Sequence, residues 1–158
     1  MTHNVATIKG DITLTDLPPR IVVDDAAHIR ANLTGAAKAI IKNTGRLTLE
    51  ITATGNHKIE IKLLAGAGSE NTLSATAVIP PNAPGGESDI SFAVLASPKM
   101  KSLKMTPAQR IGSIPKSATH SASLWRPGAP QIKYLETAGL SDAEAARLLE
   151  SAFLEETI

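Results

Sequence analysis

Cysteine is missing from all 158 residues. That excludes a disulfide, a thiolate zinc site, a catalytic thiol, and any cysteine-ligated cluster held by this chain alone. Aromatic residues are scarce, with one Trp, one Tyr and two Phe, so the 42% of apolar residues must build a core from Ile, Leu, Val and Ala. Charge of either sign is not in excess. Sixteen Lys and Arg stand against 15 Asp and Glu, for a net +1, which gives no electrostatic reason to expect nucleic acid or an anionic membrane as partner. No window reaches the roughly 18 apolar residues of a membrane span, and the opening stretch Met1 to Val5 has no basic run followed by an apolar one. The expectation is a soluble, cytoplasmic protein.

From Val5 to about Trp125 the pattern repeats every two residues. Ile12 and Leu14, Ile21 and Val23, and Leu47, Leu49 and Ile51 alternate with polar or small neighbours, and in Lys58-Ile59-Glu60-Ile61-Lys62 charge and isoleucine take turns. Half-buried strands read this way. Turn residues at Pro18-Pro19, Asn43-Thr44-Gly45, Gly55-Asn56, Gly66-Ala67-Gly68, Pro80-Pro81-Asn82 and Pro84-Gly85-Gly86 separate about ten such runs. Ala36 to Lys42 has helical propensity, but Gly35 and Asn43-Thr44-Gly45 leave it too short for a stable helix, so a strand is expected. Short alternating strands suit an antiparallel β-sandwich and a parallel β-helix alike, and no strict hexapeptide or nonapeptide repeat separates them.

Beyond Pro127-Gly128-Ala129-Pro130 the period changes, dividing the chain into a β region at 1–126 and a helical segment at 127–158. The first 128 residues hold 14 basic and 9 acidic side chains, whereas the last 30 hold 2 basic and 6 acidic, an acidic unit of its own. Gln131 to Ala138 reads as a short helix ended by Gly139. Ser141-Asp142-Ala143-Glu144 is a capping box opening a second helix over Asp142–Glu156, with Ser141 and Glu144 as the reciprocal cap. Leu148 with Ala152, and Leu149 with Phe153, give that helix a broad apolar face.

The stretch from Ala118 to Glu155 resembles the end of the SufB/SufD family, the non-ATPase scaffold subunits of the Suf iron–sulfur assembly machinery. The likeness lies in Ala118-Thr119-His120-Ser121-Ala122-Ser123, Gln131, Tyr134-Leu135, Gly139-Leu140-Ser141, Glu144-Ala145, and Leu148-Leu149 with Phe153-Leu154-Glu155. Ser88-Asp89-Ile90 through Val94–Lys99 and Leu33–Ala39 resemble the family more loosely. The resemblance implies a mainly β fold: a right-handed parallel β-helix core followed by a C-terminal helical segment that docks a SufC-type ABC ATPase. It implies a scaffold rather than an enzyme, with any iron–sulfur cluster transient and shared with a partner. A homodimer, or pairing with a longer SufB/SufD-like chain, belongs to the same picture. The chain is shorter than a usual member, and Ser121 stands where SufB-like members carry glutamate, which brings it nearer the SufD pattern.

His120 matches the family's histidine near the scaffold interface and is the candidate metal ligand, set against an ordinary histidine at a strand end. His3, His28 and His57 follow no metal-site spacing. Tyr134, Leu135, Leu140, Leu148, Leu149, Ala152 and Phe153 are the candidate partner-binding residues, set against a helix that only folds back on the β body. Trp125 and Tyr134 suit a staple of helix on sheet or a contact surface, with the staple favoured. Gly66-Ala67-Gly68 lacks the Lys-Ser/Thr of a phosphate loop, and no Ser, His and acid are placed as a triad. A second reading is a structural or binding β-domain, without cluster chemistry, that self-associates through its open end.

Overall fold

The computed structural model describes residues 4–155; His3, Glu156 and the outermost ends of the two expected regions lie outside them. Eleven strands alternate between two sheets as the chain advances. One sheet holds β1 (Val5–Thr7), β3 (Arg20–Val23), β5 (Ala36–Asn43), β7 (His57–Ala65), β9 (Glu87–Ala96) and β11 (Ser117–Trp125), side by side in that order. The other holds β2 (Gly10–Leu14), β4 (Ala26–Leu33), β6 (Arg46–Thr54), β8 (Glu70–Ile79) and β10 (Ser102–Ile111). Each strand pairs in parallel with the strand two places later. The antiparallel sandwich is therefore corrected: alternation specifies which face of a strand is buried, and parallel and antiparallel ladders use the same alternation. The segment from Ala36 is strand, as its flanking turns required.

Parallel pairing in register stacks like on like. In one sheet Ile21, Ile41, Leu63, Val94 and Leu124 stand opposite one another in succession, and so do Ala39, Ile61, Phe92 and Ala122. In the other, Ile12, Ile29, Leu49, Leu73 and Met105 do the same. These ladders meet between the sheets as one core, in which Ile29, Ile41, Leu49, Ile61, Leu63, Leu73 and Phe92 are fully buried. A space this thin is filled by aliphatic side chains, which accounts for the scarcity of aromatics.

Two polar groups of residues are buried among the ladders. Asn43 lies at the end of β5, where its Nδ2 donates to Asn71 Oδ1 (2.7 Å) and to the Glu70 carbonyl (3.2 Å), while its Oδ1 accepts from the Gly45 N–H (2.9 Å). Asn71 donates onward to Ser69 Oγ (3.0 Å) and to the Ser102 carbonyl (3.2 Å), tying three successive turns together. Gly45 is required here for space: a Cβ on it would lie 1.8 Å from the Asp25 carbonyl oxygen. The second group is centred on His57 and Ser88, both buried.

Two helices follow β11: α1 (Ala129–Thr137) and α2 (Asp142–Leu154). Gly139, at φ +91°, supplies the left-handed residue that ends α1. Of α2, Ala145 and Leu154 are buried. Among the described residues no helix is long and apolar enough to cross a membrane.

Candidate functional site

The capping box forms at the start of α2. Ser141 Oγ accepts from the Glu144 N–H (3.3 Å), and Glu144 Oε2 accepts from the Ser141 N–H (2.8 Å) and hydroxyl (2.8 Å). The backbone N–H of Ser141 is the main cause holding the Glu144 carboxyl below its ordinary value, followed by the Ser141 hydroxyl and then by Arg147. A depressed carboxylate stabilises the folded form above its unfolded pKa, and that stabilisation is lost as pH falls through the folded one. Ser141→Ala removes the hydroxyl and keeps the backbone N–H, so it should move the Glu144 carboxyl part of the way up toward the ordinary carboxylate range and lower the helicity of α2. Carboxyl titration followed by NMR checks this, and an unchanged Glu144 curve would contradict it.

The far end of α2 is fastened by Lys62, a residue whose sequence setting reads as a solvated strand face. Lys62 is only 9% exposed. Its Nζ donates to the Phe153 carbonyl (3.1 Å), lies 5.7 Å from the Phe153 ring centroid and 3.7 Å from a Glu155 carboxylate oxygen. A cation at the carbonyl end of a helix is favoured by the helix dipole and by an aromatic face. The helix lies along the outer face of the six-stranded sheet, where Leu64, Leu95, Pro127, Ile132, Ala145 and Leu149 line a cavity of about 460 Å³.

This arrangement divides the candidate partner-binding residues. Tyr134, Leu135 and Leu149 come together with Pro130 and Gln131 around a second concavity, between α1 and α2. Leu149 also lines the cavity facing the sheet, and Phe153 is engaged with Lys62, so both serve the fold as well as the surface. Leu140 and Leu148 are half-buried and Ala152 is exposed. Trp125 and Tyr134 are 39% and 74% exposed, so the pair is surface rather than the staple favoured on sequence grounds.

His120 is elsewhere. It stands on β11, an edge strand, opposite the buried Ile90 and therefore on the core-facing side of the last strand pair. There it is exposed, with Nδ1 3.3 Å from Gln109 Oε1. Ile111, Leu124 and Trp125 are exposed in the same two terminal strands, β10 and β11. Among the described residues no three His, Asp or Glu side chains gather as a metal-holding group. His28 lies between the carboxylates of Asp11 (3.3 Å) and Glu50 (2.7 Å) on the outer face of the other sheet, in a line of surface ion pairs with Arg30. His57 is buried against Ser88.

No protein-family profile, no curated protein and no solved structure matches the chain.

Proposed function

We propose that the protein is a non-catalytic SufB/SufD-like scaffold subunit of cytoplasmic iron–sulfur cluster assembly. In this reading the stack of strands is a right-handed parallel β-helix, and the C-terminal helices dock a SufC-type ABC ATPase. The observation that carries the reading is one of placement. The residues that resemble the family, Ala118 to Glu155, fall on the last strand of an all-parallel stack and on the two helices laid against it. The concavity between α1 and α2, with Tyr134 at its rim and Ala152 exposed on α2, is the docking surface. A cluster is cargo here. His120 supplies one imidazole in this reading, and thiolate donors come from a partner chain, because the sequence holds no cysteine.

Co-purification with a purified SufC-type ATPase tests the docking. Tyr134→Ala and Ala152→Glu change exposed positions and leave the core intact, and either should weaken binding by about tenfold or more, as loss of an interface anchor does. Absence of binding by the unaltered chain would remove the proposal.

The exposed Ile111, Leu124 and Trp125 favour the second reading, self-association through the open end. Light scattering of the isolated chain decides it: a dimer indifferent to the ATPase and broken by Leu124→Asp supports this reading over the first.

A further inference from the structure

Behind His120 runs a line of side chains that ends in the core, and its donors and acceptors can be assigned one by one. His57 and Ser88 are buried, and Gln109 is half-buried. His57 Nδ1 lies 2.8 Å from the Gly55 carbonyl, which only accepts, so Nδ1 carries the proton. Nε2 of that ring then accepts the Ser88 hydroxyl at 2.7 Å. Gln109 Nε2 lies 2.9 Å from Ser88 Oγ, 3.2 Å from the Ser88 carbonyl and 2.8 Å from the Thr119 carbonyl. Two of these three partners are carbonyls, so the atom among them must be the NH₂ group; the flipped amide would set oxygen against oxygen. The Gln109 orientation is therefore fixed, and Oε1 is the atom facing His120 Nδ1 at 3.3 Å. An amide oxygen cannot donate. His120 Nδ1 must carry the hydrogen, and in the neutral ring Nε2 is left with its lone pair.

We infer that Gln109 is a positioning residue that holds His120 in the Nδ1–H tautomer and so leaves Nε2 as an imidazole donor for a borderline divalent metal. Free histidine prefers the opposite tautomer, with the proton on Nε2, which is the form that blocks ligation through that atom. A histidine ligand is commonly oriented in this way, by an acceptor on the nitrogen that does not bind the metal. Ser88 and His57 act through Gln109: they fix its amide, and the Gly55 carbonyl fixes the His57 ring. The metal part of this inference rests on the function proposed above, and the tautomer part does not.

Nitrogen-detected long-range NMR of His120 in the full chain, recorded where the ring is neutral, tests both. The expected result is a majority Nδ1–H form, shifted by about two- to tenfold toward Nε2–H in Gln109→Leu, the effect of removing one hydrogen bond. A majority Nε2–H form in the unaltered chain overturns the inference, and that spectrum decides the matter even should the variant fail to fold. An unchanged ratio in a folded Gln109→Leu overturns it equally. Adding Zn²⁺ as the probe should then perturb His120 Nε2 and leave the ring of His57 unmoved. No response to Zn²⁺ removes the metal role and, with it, the support that His120 lends to the scaffold reading, while the tautomer stands or falls on the spectrum alone.

Discussion

Phe92→Ala should lower the unfolding free energy by about 3–5 kcal/mol, the range for removing a fully buried aromatic side chain. Phe92 is the largest fully buried side chain in the molecule's described part, and it stands in register between Ile61 on β7 and Ala122 on β11. The space cannot be closed by sliding β9, because that strand is held on both sides by parallel pairing with β7 and β11, and a one-residue slip would turn its core side chains outward. The cavity is consequently retained and its full cost is felt. Urea unfolding measures the effect as a shift in midpoint at unchanged slope. A loss below about 1 kcal/mol would mean that the two sheets are not tightly packed at this level.

Asn43 gives the second large effect. Its truncation to Ala leaves the Gly45 N–H and Asn71 Oδ1 without their partners in a buried corner, at about 1–3 kcal/mol for each unsatisfied group, so a total loss of about 2–6 kcal/mol is expected. Asn43→Asp is the sharper comparison, because it keeps the shape. An aspartate replaces the Nδ2 donor with an oxygen pointed at Asn71 Oδ1 and the Glu70 carbonyl, both of which it would repel. The aspartate variant should be less stable than the alanine variant at neutral pH and should recover part of the difference in acid, where protonation restores a donor. The opposite order would show that Asn43 acts as a spacer and not as the centre of a hydrogen-bonded corner.

Much of this architecture could be read from the residues, and what could not has identifiable causes. Period-two alternation located most of the strands, while Ala36 to Lys42, where propensity alone pointed to helix, was placed by the turns on either side that leave it too short for one. Ser141 and Glu144 announced the start of α2, because a reciprocal cap needs only a local sequence. Strand direction was hidden, since the same face is buried in either case. The repeat was hidden as well. Ala26 stands opposite Arg46, 20 residues on, whereas Glu70 stands opposite Ser102, 32 residues on, so the spacing between paired strands lengthens along the chain and no fixed period survives.

At the candidate sites the sequence failed wherever one residue serves a partner remote in the chain. Lys62 sits in a run that looks solvated, and only the return of α2 over β7 buries it. Asn43 begins what reads as an ordinary Asn-Thr-Gly turn, yet its amide is spent on Asn71 and Glu70. Gln109 carried no signal at all, because its meaning depends on three strands, β9, β10 and β11, meeting at Ser88, Thr119 and His120. Leu149 and Phe153 were correctly seen as apolar positions on α2, but periodicity could not tell which of them the molecule's own sheet would claim.

Amide hydrogen exchange of the full chain, with and without an equimolar SufC-type ATPase, tests the central proposal most directly. The account predicts slowed exchange across α1 and α2, between Ala129 and Leu154, with β4 and β6 unaffected. Helices whose exchange is unchanged by the ATPase, with new protection absent or confined to β10 and β11, would contradict it.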